Sequence, residues 1–314
     1  MTISVDQAYA VCRQIARREA KNFYYSFVAL PQVKRDAICA VYAFMRHADD
    51  LSDDETKSRE QRRIDLDAWL SAWHKAAQGE ATDDPVFIAL ADAQKHFGIT
   101  TELLDQLVQG TAMDLYPAYD AQERGHESVH RLSFDTYATF DDLYRYCYYV
   151  ASVVGLVCIR IFGYKDAKAE KLAEETGIAF QLTNILRDVR EDAERDRIYL
   201  PLEDMETFGV STDDILKMKN GRHMTLNQRE LLEFEAKRAG NYYKSGYALL
   251  PLIDADARPA LWVLISIYHR LLQRIEAENF DVFSERVSVP TITKLTILVR
   301  GLFGVLLGRL KSGK

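Results

Sequence analysis

Cysteine, proline and glycine are scarce in this chain of 314 residues, which holds 4 Cys, 7 Pro and 15 Gly. Cys12, Cys39, Cys147 and Cys158 sit in apolar helical patterns without CxxC spacing. That argues against a disulfide framework or a thiolate zinc site and for buried thiols in a reducing compartment. With so few helix breakers, long helices can run uninterrupted. A basic excess is missing too: the formal net charge of −7 argues against a nucleic-acid partner, which needs a basic face. The N-terminus, MTISVDQAYA, has no basic region followed by an apolar run, so no secretory signal is read and a cytoplasmic protein is expected. Strand alternation, fixed repeats and low-complexity linkers are absent. So are a nucleophile elbow, a P-loop and GxGxxG.

What is present is helical periodicity, in a chain 48% hydrophobic and 28% charged. The pattern predicts helices over 4–22, from Pro31 to Asp53, and over 56–78, the last packing through Ile64, Leu66, Trp69, Leu70 and Trp73. Thr82-Asp83-Asp84-Pro85 starts another helix, closed by Gly98, and Thr100 caps the next, which runs to about Met113. Residues 117–132 read as a polar loop. Further helices are expected from Thr136 to Phe162, around 178–192, over 225–250 and 256–279, and from Thr291 to the end. One-sided apolar faces on either side of every break predict an all-α, single-domain bundle spanning 1–314.

Within the helix around 178–192, Gln181, Asn184, Asp188 and Asp192 follow steps of three, four and four and form one polar stripe. A second acidic pair, Asp49 and Asp53, ends a stripe that also carries Tyr42 and Met45. Carboxylates at i and i+4 repel by roughly 0.2–0.5 kcal/mol, and anions near a helix C-terminus oppose its dipole. Both costs vanish if the pairs face each other across Mg²⁺, which binds through a few carboxylates, water and substrate phosphates. Arg46, one turn before Asp49, is placed to meet an anion. A lone acidic pair is more often a solvated helix face, and these residues by themselves leave both readings open.

His126-Glu127-Ser128-Val129-His130 matches HExxH, yet it follows Gly125 in a polar stretch with no apolar helix around it. An exposed loop is the preferred reading. Tyr24-Tyr25, Tyr144 to Tyr149 and Tyr242-Tyr243 suit a core, although aromatic faces also stabilise a carbocation without supplying a nucleophile. The amphipathic tail reads as a packed helix, with peripheral contact to the inner membrane face through 291–314 as the second reading.

Three stretches together carry a resemblance: YAFMRHADDLSD from Tyr42, YCYYVASVVG from Tyr146 and QLTNILRDVREDAERDRIYLP from Gln181. The chain resembles the squalene/phytoene synthase family over about Asn22 to Val289. The resemblance implies a class I isoprenoid synthase fold with a central apolar cavity, and Mg²⁺ held by Asp49, Asp53, Asn184, Asp188 and Asp192. It implies diphosphate contacts from Arg46, Arg187, Asn22, Gln181, Asn184, Tyr268 and Arg286, with Tyr146 near the reacting carbons. Phe23, Val150, Val154 and Leu182 would line the prenyl chain. Where the family often has serines, Ala20 and Asn22 stand here, so the Asn22 amide would replace a hydroxyl.

The implied reaction is a head-to-head condensation of two prenyl diphosphates through a cyclopropylcarbinyl diphosphate. Farnesyl diphosphate and a presqualene or squalene product are favoured at this stage, with NADPH a cofactor to consider if the product is squalene. A phytoene synthase joining two geranylgeranyl diphosphates is the alternative. A non-catalytic assembly or interaction factor of the same fold is disfavoured, because all four aspartates are retained.

Overall fold

Most long helices begin where the sequence offers a capping side chain. In the computed structural model, which describes residues 3–115, 135–218 and 224–311, Ser4 caps α1 (Val5–Glu19) and Ser58 caps α4 (Arg59–Ala77). Of 21–23, 114, 135, 218 and 304–311 only the backbone is described. The Asp84 carboxylate accepts from Val86 N at 2.7 Å to open α5 (Pro85–Phe97), with Pro85 in its first turn and Gly98 closing it. Thr100 caps α6 (Thr101–Ala112), and Thr225 starts α11 (Leu226–Leu249) with a capping box.

Several boundaries depart from the periodicity reading. The opening stretch breaks at Ala20 into α1 and α2 (Lys21–Val28), ahead of α3 (Gln32–Ser52). The helix expected from Thr136 begins four residues later, as α7 (Phe140–Phe162), because Thr139 and Asp142 form a capping box there. Asp135–Thr136 instead pairs in parallel with Arg197–Ile198, a contact too short to leave an alternating pattern. Ile64 is exposed, whereas Leu66 and Trp73 on the same helix are buried.

The rest of the chain is α8 (Lys168–Glu194), the short α9 (Leu202–Thr207) and α10 (Thr212–Met218), α11, α12 (Arg258–Ala277) and α13 (Thr291–Lys311). α1, α3, α4, α5 and α6 pack together, while α8 packs on α11 and α12 carries α2 and α13. α7 belongs to both groups, lying against α3 and α6 on one side and α8 on the other. Buried residues of both groups join in one continuous apolar core.

α7 is not uniform. Tyr148–Ser152 form a π turn, in which Val153 N reaches back to Tyr148 O. Two glycines grip this turn. A methyl at Gly110 of α6 would sit 2.6 Å from Tyr149 O, and one at Gly177 of α8 would sit 2.6 Å from Ser152 Cα. No larger residue fits either contact without moving a helix.

Candidate active site

The close approach of Gly177 to Ser152 sets which way α8 faces. Gln181, Asn184, Asp188 and Asp192 continue from Gly177 at helical spacing, so the polar stripe leaves the α7 contact and runs on past the bundle interior. From the other group, α3 brings Tyr42, Met45 and Asp49 to half-buried positions and leaves Asp53 exposed. α3 and α8 make no extended contact with each other, and α7 spans the interval between them. Tyr146, Val150 and Val154 of α7 stay half-buried there. Leu182, expected on the same wall, is 2% exposed and sits in the closed core. The side chains of Asn22 and Phe23, and the whole of His126 to His130, lie outside the described residues.

The carboxylates of the two pairs are held differently. Burial pushes Asp49 up to about 7 against the opposing charge of Arg46, and Asp53 and Asp50 add to the rise. Arg46 bonds Asp50, the neighbour of the expected carboxylate. Burial and the charge of Asp188 raise Asp192 to about 7 as well. Asp188 is the exception: burial would raise it, but hydrogen bonds and charge from Arg187 and Arg286 outweigh that and hold it below the usual carboxylate range. Arg187 reaches it through Nε at 2.7 Å, and Arg286 through Nη2 at 2.8 Å and Nε at 3.0 Å.

Arg187 and Arg286 also line a cleft of about 370 Å³ with Tyr25, Tyr268, Leu271 and Lys294. Burial and the charge of Arg187 lower the Lys294 ammonium, as expected where like charges share a recess. Lys294 Nζ stands 6.0 Å from the centre of the Tyr25 ring. Tyr268 joins the cleft to the stripe: its buried phenol takes a hydrogen bond from Asn184, and its ring stacks on Phe180 at 4.5 Å. Tyr146 stacks on Tyr199 at 4.9 Å and lies 5.4 Å from Tyr137, a second aromatic group. Arg190 fastens the segment that carries Arg286, donating to Phe283 O at 3.0 Å and Ser284 O at 3.3 Å.

The structure therefore unites Arg187, Asn184, Asp188, Tyr268 and Arg286 as expected, and adds Tyr25, Lys294 and the positioning Arg190. Of these, Lys294 left a trace in the sequence. It is the lone charge in Thr291 to Val299, where a core helix would carry none.

Two observations test whether Mg²⁺ fits. Asn184 donates from Nδ2 to Gln181 Oε1 at 3.3 Å, while its buried Oδ1 has no hydrogen-bond partner. An orphaned acceptor one turn from Asp188 and two turns from the burial-raised Asp192 is a donor set short of a cation. Among the described residues no three acidic, His or Cys side chains converge closely enough to chelate an ion. Dispersed carboxylates suit a hydrated ion completed by phosphate oxygens, and the residues fit that group.

Chemically, the site offers a guanidinium and ammonium recess for an anion, carboxylates for divalent ions and two aromatic groups with no nucleophile among them. A family model described as squalene/phytoene synthase matches residues 16–293. The chain is 34% identical over 307 residues to a 15-cis-phytoene synthase of Synechocystis sp., covering 94% of this chain and 84% of that one. It is 33% identical over 302 residues to a phytoene synthase of Mycobacterium tuberculosis, covering 95% of this chain and 91% of the relative. Among solved structures, a dehydrosqualene synthase in complex with a ligand superposes with a TM-score of 0.80 at 31% identity, covering 98% of each chain. A squalene synthase from Alicyclobacillus acidocaldarius superposes at 0.75 with 29% identity, covering 88% of this chain and 95% of that one.

Proposed function

The chain belongs to the squalene/phytoene synthase family, a prenyltransferase type of enzyme, and from that premise we propose that it joins two C20 prenyl diphosphates head to head. The observation that carries the condensation chemistry is the shared use of Arg187 and Arg286. Each faces both the anion cleft and Asp188, so a diphosphate in the cleft lies beside the second acidic pair. The chain length rests on the relatives found by sequence, which are named phytoene synthases, whereas the solved neighbours are a dehydrosqualene synthase and a squalene synthase. This replaces the farnesyl preference reached from sequence alone, which had no measure of pocket depth.

In this reading Asp49, Asp53, Asn184, Asp188 and Asp192 would hold Mg²⁺, which supplies positive charge against the departing diphosphate. Arg187, Arg286 and Lys294 bind diphosphate oxygens, for which planar guanidinium groups are well shaped. Breaking the C–O bond of one substrate leaves an allylic cation. The double bond of the partner attacks it, and loss of a proton closes a cyclopropylcarbinyl diphosphate. A second C–O cleavage, rearrangement and proton loss give a linear hydrocarbon with a central conjugated triene, and the proton goes to released diphosphate. This ending consumes no hydride, so NADPH has no part in it. The tyrosine group around Tyr146 and the Phe180–Tyr268 stack offer ring faces to the cations. Val150 and Val154 limit access of water to them.

The test is to incubate the purified full chain with Mg²⁺ and either geranylgeranyl or farnesyl diphosphate, without NADPH, and to weigh the products. A C40 hydrocarbon from the C20 substrate is expected. Turnover of the C15 substrate alone would overturn the chain length, and turnover of neither would overturn the reaction.

A further inference from the structure

Tyr137 and Tyr199 lie outside the long helix that carries Tyr146. They sit on the two stretches that pair in parallel, Asp135 with Arg197 and Thr136 with Ile198. Leu202 N donates to Tyr137 O at 2.9 Å and Glu203 N to Ala138 O at 3.1 Å, which carries the pairing on into α9. The ring of Tyr199 stacks on Tyr146 at 4.9 Å and on Tyr137 at 6.0 Å. A strip of two-residue strands is marginal by itself, so the rings stand where they do only if something fastens the strip to the bundle.

Arg238 of α11 is that fastening. Its Nη1 donates to Asp204 Oδ2 of α9 at 2.7 Å and to both carboxylate oxygens of Glu235, at 2.7 and 2.9 Å. Its Nη2 donates to Asp204 Oδ1 at 3.2 Å. The guanidinium stands 4.1 Å from the centre of the Phe140 ring and 4.7 Å from that of Phe234. Phe140 is the first residue of α7, so one side chain grips α9, α11 and the start of α7 at once. All three charged side chains are largely buried, and burial raises Glu235 against the opposing charge of Arg238, with Asp204 adding to the rise. None of the three lines the anion cleft. Buried ion clusters add little net stability, because attraction is offset by lost hydration. What a bidentate guanidinium does supply is a fixed geometry.

We infer that Arg238 is a positioning residue for the condensation. By holding Asp204 and Phe140 it fixes Tyr199 and Tyr137 against Tyr146, and so keeps water from the cations formed beside those rings. The inference rests on the reaction proposed above, in which a cation forms at each C–O cleavage. Water that reaches either cation adds its oxygen, passes a proton to the released diphosphate and leaves an alcohol in place of the hydrocarbon. Displacement of the strip by about 1 Å is enough to matter, since catalytic geometry is that sensitive to changes far from the chemistry.

Arg238→Met alone would strand two buried carboxylates, so the test uses the neutral triple variant Asp204→Asn, Glu235→Gln and Arg238→Met, with Arg238→Lys beside it. The first readout is hydrogen exchange of the full chain without substrate, which is independent of the reaction. Peptides spanning 197–207 should exchange at least tenfold faster in the triple variant and several-fold faster in Arg238→Lys, with both folded by circular dichroism. The second is the ratio of alcohols to hydrocarbon formed from geranylgeranyl diphosphate with Mg²⁺. It should rise at least fivefold in the triple variant and less in Arg238→Lys, with KM within twofold of wild type. A merely structural role would lower all products together and leave the ratio unchanged. Unchanged exchange in the folded triple variant would overturn the inference, as would an unchanged ratio in an active one. Should the triple variant fail to fold or to turn over, Arg238→Lys decides on both readouts. A wild type inactive on prenyl diphosphates would overturn the proposed reaction, while the exchange result still decides whether Arg238 sets the strip.

Discussion

Asp49 and Asp188 illustrate two fates for a carboxylate in the same site. Asp188 is already neutralised by two arginines, so removing it leaves the largely buried Arg187 uncompensated, and a loss of activity in such a variant would mix chemistry with folding. Asp49 carries a charge that burial disfavours, with an ionisation near 7 in place of the usual 3.8. Asp49→Asn should therefore abolish turnover and yet stabilise the metal-free protein at pH 8, by on the order of 1–3 kcal/mol. The sign follows from linkage. A folded pKa raised above the unfolded value favours the fold at low pH, and that advantage is lost as pH rises to about 7. Activity assays beside urea melts of the metal-free protein would check both halves. Unchanged turnover would remove Asp49 from the metal site, and a less stable variant would show that its charge is compensated in the fold.

At the scale of the element, the π turn of α7 is the feature most exposed to a small change. Gly177→Ala would place a methyl 2.6 Å from Ser152 Cα, where backbone must yield on one side or the other. A cost of about 1–3 kcal/mol is expected from overpacking. Because α8 carries the acidic stripe and α7 carries Tyr146, turnover should fall further than stability accounts for. Comparing kcat with the melting midpoint of the variant decides this, and an unperturbed kcat in a folded Gly177→Ala protein would contradict the coupling. The stripe on α8 was legible in the sequence because Gln181, Asn184, Asp188 and Asp192 obey a local period. So were the cap at Thr100 and the closing Gly98. The π turn was not, since its cause lies in Gly110 and Gly177, one far before it and the other beyond it in the chain. The Asp135–Thr136 pairing with Arg197–Ile198 was hidden for the same reason, as was the entry of Tyr25 and Lys294 into one cleft from opposite ends of the chain.

At the scale of the whole molecule, α7 holds two groups of helices side by side, with Asp49 and Asp53 at the end of α3 in one group and Asp188 and Asp192 on α8 in the other. In the proposed reaction a cation and a diphosphate would complete the site together. The cleft alone offers Arg187, Arg286 and Lys294 to an anion, cations that need no metal to attract one. The carboxylates add affinity only when deprotonated and bridged. Calorimetric titration of the full chain with inorganic pyrophosphate, with excess Mg²⁺ or with EDTA and at pH 6 and pH 8, separates the two contributions. The account predicts at least tenfold tighter binding with Mg²⁺ at pH 8 and a smaller gain at pH 6, where Asp49 and Asp192 hold protons that the metal must displace. Equal affinity with Mg²⁺ and with EDTA at pH 8 would contradict it.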